Sequence, residues 1–148
     1  MYCQCFLRTK HVYVPTTGVT KHKLYRIIEP VAVIAVWDTA ALHQALIEAM
    51  VRGNPEVAAL PPSDYPPPVL PKYAGVKSWN TFARNASLWA ISEQNGAYKI
   101  VCYRKDRPGA WMEDRARDIV FPANTSANGV IERLVAVIQN AACEEEAN

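Results

Sequence analysis

The side chains best suited to moving protons near neutral pH are three histidines, and two of them stand among lysines in the stretch TKHVYVPTTGVTKHKLYR. A pair such as His11 and His22, with Lys10 or Lys23 steadying phosphate charge, would suit acid–base cleavage of a phosphodiester. Nothing in the spacing requires the two to meet, and a solvated basic strand or loop accounts for both. His43 falls beside the Leu42/Leu46 stripe of a helix, at a polar position. Glu113, Asp114 and Asp118 are residue types that hold divalent cations, but Arg115 and Arg117 interleave with them, and a charged turn is the simpler reading. Cys3 and Cys5 are spaced to share one side of a strand, so a zinc ion there needs His11 or another ligand from elsewhere. No cysteine pair has the two-residue gap of a local zinc grip, and reduced thiols are expected, with neither metal nor cofactor. The chain also lacks the phosphate-cradling, nucleophile-elbow and zinc-protease signatures, so no catalytic residue is assigned and a non-enzyme is expected.

Charge separates along the chain even though the net value is only +2. Residues 1–28 hold five Lys or Arg, two His and no acid; from Glu29 onward fourteen acids meet eleven bases, ending in Glu144, Glu145 and Glu146. Lys10, Lys21, Lys23 and Arg26, interleaved with Tyr2, Phe6, Tyr13 and Tyr25, resemble the pattern of a single-stranded nucleic-acid surface, where cations meet phosphates and rings stack on bases. The competing reading is that alternate aromatics on a strand are core, and the near-neutral total favours it. The N-terminus, MYCQCFLRTK, lacks the order of a secretory signal, and the longest apolar run, Val31 to Trp37, falls well short of a membrane span. A cytoplasmic protein without membrane contact is expected.

These residues need elements to position them, and the periodicity supplies a list. At 148 residues one domain is expected. Alternation predicts strands over 2–7, 12–14 and 24–28, with Pro15 and Gly18 marking a turn, and a further run over 31–36 beyond Pro30, all within an N-terminal segment 1–37. Asp38 or Thr39 caps a helix over 39–52, stopped by Gly53 and Asn54-Pro55. A proline-rich connection spans 54–86. Asn95-Gly96 then predicts a two-residue turn that places Trp89 opposite Cys102 and Ile91 opposite Ile100, in a region 87–121 of hairpin and further strands. A helix over 125–142, capped by Thr125 or Ser126, carries an apolar face wide enough that it must pack on the sheet, and an acidic tail, 143–148, follows. The fold class is α+β, with a mostly antiparallel sheet and two main helices in the order strands, helix, strands, helix.

The connection holds six of the eleven prolines within residues 61–71. Such stiffness reduces the entropy lost on ordering, which suits either of two roles. As a strap, the segment lays Val69, Leu70 and Tyr73 over the uncovered hairpin face, with Trp79 and Phe82 completing a core. As an interface, it presents Tyr65, Lys72, Tyr73 and Trp79, residue types that dominate binding energy.

The run YPPPVLPKYAGVKSWNTFARNASLWAISEQNGAYKIVCYR, residues 65–104, resembles small bacterial immunity proteins of contact-dependent growth inhibition systems. The resemblance rests on the proline-rich lead-in, the aromatic YAGVKSW and FAR segments, the G-A-Y-K-I strand and a helix opened near Asn124, Thr125 and Ser126. It implies a cytoplasmic inhibitor without cofactor or catalysis, which binds the toxic C-terminal domain of a cognate effector, often a nuclease, and blocks its active site or substrate surface. It also implies an acidic binding face, for which Glu113, Asp114, Asp118 and Glu144 to Glu146 are candidates beside Tyr65, Lys72, Tyr73 and Trp79.

Overall fold

The computed structural model describes residues 1–148. Strands β1 (Tyr2–Arg8), β2 (His11–Val19) and β3 (Tyr25–Ala35) lead into helix α1 (Thr39–Arg52). Two short helices, α2 (Leu70–Ala74) and α3 (Trp79–Arg84), precede β4 (Ala86–Gln94), β5 (Ala97–Arg107), β6 (Ala110–Glu113), β7 (Ile119–Val120) and the last helix, α4 (Ala127–Ala147). The sheet runs β3-β2-β1-β4-β5-β6, antiparallel throughout, with β7 also paired to β5. The fold is therefore α+β.

The Asn-Gly turn sets the centre of the sheet. Asn95 and Gly96 take φ of 54° and 79°, the positive values a tight turn of matching twist requires. The ladder then pairs Trp89 with Cys102, Ala90 with Val101 and Ile91 with Ile100, as the sequence predicts. Alternation sends Cys3, Cys5, Leu7, Trp89, Ile91, Ile100 and Cys102 to one face, where Leu42, Leu46, Ile131, Leu134 and Ile138 of the two long helices cover them. Asp38 accepts the Ala41 N–H at 3.2 Å and Ser126 the Gly129 N–H at 3.1 Å, so both helices start on capped donors.

The second face has its own core. Phe6, Tyr13, Ala86 and Leu88 are covered by Leu70 of α2 and Phe82 of α3, all buried, and Trp79, Tyr103 and Trp111 pack around them. The proline-rich connection thus acts as a strap, delivering two short helices onto the face that α1 and α4 leave open.

Four boundaries differ from expectation. Pro15 and Gly18 do not form a turn; β2 runs through both and turns only at 20–24. The register of β2 against β3 shifts between Pro15 and Thr16, so Pro15 falls at an irregularity in the ladder, where a missing N–H is tolerated. Gly18 serves close approach instead, since a Cβ there would come within 2.6 Å of Val57 Cγ1. The two strands expected on either side of Pro30 are one strand, β3, whose residues Glu29 and Pro30 bulge between the pairs Thr16↔Ile28 and Pro15↔Val31. The connection contains α2 and α3, too short for periodicity to reveal. Finally, α4 continues through Glu144–Glu146 to Ala147, because alanine and glutamate favour helix and no breaker intervenes.

One side chain replaces missing sheet. Pairing of β1 with β2 covers Phe6↔Tyr13 to Arg8↔His11. Nearer the start of β1, the Asn54 amide accepts the Tyr2 N–H at 2.9 Å and donates to the Tyr2 and Thr17 carbonyls at 2.7 and 2.8 Å. It satisfies backbone groups that would otherwise lack partners.

Candidate interaction groove

At the β2–β3 end of the second face the sheet is not fully covered. A groove of about 760 Å³ lies between Tyr25 and Ile27 of β3, the loop 20–24 and the strap residues Tyr65 to Val69, with Trp79 at its inner end. Leu24, Tyr25 and Tyr65 stand 60%, 51% and 55% exposed here. Three large apolar side chains gathered beside prolines 66, 67 and 68 are the composition of a binding surface rather than of scattered exposure.

The walls are pre-ordered. In the loop, the Thr20 hydroxyl accepts the N–H groups of His22 and Leu24 at 3.3 and 3.2 Å, and Thr20 N–H donates to the Leu24 carbonyl at 2.9 Å. Tyr25 is backed by Tyr2, ring centroids 4.5 Å apart, and the Tyr2 and Tyr103 hydroxyls are hydrogen-bonded. Burial, reinforced by that hydroxyl pair, pushes the Tyr2 phenol well above its ordinary pKa, so it stays neutral. Trp79 stacks on Phe82, meets Phe6 edge-on, and donates its Nε1–H to the Gly109 carbonyl at 2.8 Å.

The rim is charged. Lys21, His22 and Lys23 are exposed on the loop, and Arg26, half-buried, donates to the Ala58 carbonyl at 3.3 Å. On the other side, Glu29 accepts from the Tyr73 hydroxyl and from Lys72 Nζ at 3.0 Å, and Lys72 also lies 5.2 Å over the Tyr73 ring. The Tyr73 hydroxyl, followed by Lys72, holds the Glu29 carboxyl below its usual range.

Residues singled out from sequence divide accordingly. Tyr65, Trp79 and Arg26 meet at the groove, with Lys21 and Lys23 on its loop, while Lys72 and Tyr73 tie α2 to β3 at its edge. Lys10 sits at the opposite end of β2. Glu113 lies 3.5 Å from Arg115, and Asp118 accepts the Cys102 N–H at 2.9 Å and faces Lys99 at 3.8 Å. Asp114 donates its N–H to the Cys102 carbonyl at 2.8 Å. Asp114 and Asp118 thus tie the segment after β6 to the Cys102 backbone of β5, Asp114 through its own backbone, which leaves its carboxylate and that of Glu113 at the turn. His11 and His22 lie at opposite ends of β2, roughly 25 Å apart by strand rise, so a pair for acid–base cleavage is not assembled. His43 Nε2 is 3.4 Å from Asn128 Oδ1, between the long helices. Cys3 and Cys5 do share a face, buried in the core, and burial pushes the Cys3 thiol up to about 12. His11 is exposed and sits on the other side of the sheet by alternation; no group of three or more metal-ligating side chains is present.

Solved structures share this fold, the following two among them. A protein of unknown function, NMB0488 from Neisseria meningitidis, superposes with a TM-score of 0.67 at 15% identity, covering 95% of this chain and 93% of that one. A chain of the CdiA-CT/CdiI toxin and immunity complex from Yersinia pseudotuberculosis superposes with a TM-score of 0.60 at 11% identity, covering 93% and 95%. No protein-family model matches the sequence, and no match to a curated protein was found. No helix is long and apolar enough to cross a membrane.

Sequence reasoning missed Leu24 and Tyr25 as groove residues. Tyr25 belongs to an alternating aromatic set whose other members, Phe6 and Tyr13, are buried and whose Tyr2 is half-buried. Only the position of the strap distinguishes it.

Proposed function

We propose that this protein is a cytoplasmic immunity protein, which binds the toxic C-terminal domain of a cognate contact-dependent growth inhibition effector, a nuclease, and blocks its active site or substrate surface. The groove carries the reading: tyrosines, a leucine and stiff prolines are pre-ordered and exposed, so little entropy is lost on docking. The loop beside the groove is cationic, which departs from the acidic face that the resemblance implies and would meet carboxylates on the partner. Similarity in fold to a chain of a toxin and immunity complex supports the same direction.

The nucleic-acid reading is less well supported. Of its four aromatic platforms Phe6 and Tyr13 are buried and Tyr2 is engaged with Tyr103, and Lys10 is far from Lys21, Lys23 and Arg26. Co-expression tests the proposal: a toxin domain is expected to be encoded immediately upstream, and to arrest growth alone but not when this protein is present. Arrest unchanged by the protein would refute it.

A further inference from the structure

The sheet ends at β3, which has β2 on one side and no strand on the other. Its first half is guarded: Glu29 and Pro30 interrupt the ladder, and Tyr73 and Lys72 of α2 close on Glu29. Past that bulge, Val31, Ala32, Val33, Ile34 and Ala35 continue without a charge or a further proline, and Val33 is 39% exposed. Edge strands are normally blunted by lysine, proline or a bulge, because a bare apolar edge recruits another strand. Within this run none of those devices appears.

The main chain decides which residues are free to pair. Val36 donates its N–H to the Lys10 carbonyl at 2.9 Å, in the turn that joins β1 to β2. It therefore points inward, and alternation along the strand turns the main-chain groups of Ile34 and Ala32 the same way. Those of Val31, Val33 and Ala35 are left facing the open edge. The Ala35 carbonyl agrees, since it accepts the Asp38 N–H at 2.9 Å outside the ladder. No other segment of the chain makes a backbone bond to Val31 or Val33 from outside the sheet. The outward set is symmetric about Val33.

We infer that a second copy of this chain pairs its own β3 antiparallel with this run, about a two-fold axis at Val33. Val33 then meets Val33 of the second copy as a hydrogen-bonded pair, and Val31 meets Ala35 in the same way, so the outward N–H groups all find acceptors. Ala32 falls opposite Ile34, so small side chains face larger ones on both faces of the joined sheet. Such self-complementarity selects a second copy over an unrelated strand, and no charge in the run opposes it. The groove takes residues 25–29 of the same strand, on the far side of the bulge, so the pairing does not depend on toxin binding. The contact is smaller than a standard interface, and a weak dimer is expected, with Kd on the order of 0.1 mM.

The test is sedimentation equilibrium from about tenfold below to about tenfold above that Kd, with amide hydrogen exchange measured at the two extremes. The average mass is expected to rise from that of one chain toward that of two. The Val31 and Val33 amides are expected to exchange freely in dilute protein and about fivefold more slowly in concentrated protein. Val33→Lys sets like charges opposite each other at the axis, and is expected to keep the mass of one chain with an unchanged melting midpoint. A single-chain mass throughout, a dimer in which those amides stay open, or an equal dimer in the folded variant would overturn the pairing. If the variant melts early, the amides of the unaltered protein decide. Amides that close only in a captured toxin complex would assign the edge to the toxin and overturn the pairing as well.

Discussion

The indole nitrogen of Trp79 and the carbonyl of Gly109 meet at 2.8 Å, joining the strap helix α3 to a hairpin thirty residues further along the chain. Phe82 stacks on the same indole and Trp111 packs against it edge-on, so one side chain organises the second core and closes the inner end of the groove. Trp79→Phe keeps most of the packing but removes the donor. It is expected to destabilise by about 1–2 kcal/mol, through the lost bond and the unpaired carbonyl, measured by urea denaturation. Gly109→Ala forces a side chain into a positive φ and onto Asn80, and is expected to cost about 1–3 kcal/mol by the same measurement. Wild-type midpoints in both variants would mean that the hairpin does not rest on α3.

Trp89 tests the first core. Its ring is buried opposite Cys5 and Cys102, beneath the long helices. Trp89→Ala is expected to cost about 3–5 kcal/mol. A loss below about 1 kcal/mol would place the ring at a surface and the sheet face in error.

Gly96 isolates the turn from the core around it, since its φ is 79° and a Cβ there would meet open space. Gly96→Val therefore reports backbone strain alone, and about 1–2 kcal/mol of destabilisation is expected. An unaltered thermal midpoint would contradict the turn.

The strap has a pH signature at its Glu29 anchor. Glu29 has its pKa lowered by Tyr73 and then Lys72, so its contribution is complete above the usual carboxylate range and is lost as pH falls through the depressed folded value. Lys72 has its pKa raised by Glu29, so its contribution is complete below the usual lysine range and is lost only as strongly alkaline pH rises through the folded value. Both groups are exposed, so the effect is small. Glu29→Gln is expected to flatten the acid-side slope of the urea midpoint between about pH 5 and 3. Identical slopes in the two proteins would show that the Glu29 contacts do not persist in solution.

Much of the sheet was legible because its signals are local. Asn95-Gly96 carries its own backbone requirement, and the register from Trp89 to Glu93 follows from it. Helix α1 likewise has its cap, stripe and stop adjacent in sequence. Pro15, Gly18 and Pro30 misled because each breaks regular structure in isolation, whereas here a register shift absorbs the prolines and a crossing segment requires the glycine. The groove was legible only in fragments. Residue type marks Tyr65 and Trp79 on the strap, and Arg26 among the basic residues, but their meeting depends on residues 20–29 folding beneath residues 59–69. No local pattern encodes that contact. Asp118 falls in the stretch that reads as a charged turn, and its backbone partner, Cys102, lies sixteen residues earlier, out of reach of any local pattern.

The central claim is that the groove docks a toxin domain, and Tyr25 and Tyr65 are its exposed tyrosines. The most direct test captures partners from the native cell with tagged wild-type protein and with the Tyr25→Ala/Tyr65→Ala double variant, washed at high salt and read by mass spectrometry. Wild type is expected to retain one C-terminal fragment of a large secreted protein at near-equal stoichiometry. The double variant, with an unchanged melting midpoint, is expected to lose at least about 2 kcal/mol of binding, some thirtyfold in affinity, and to retain little of it. Equal retention by both proteins would contradict the groove, and recovery of salt-labile nucleic acid with no such fragment would contradict the inhibitor reading.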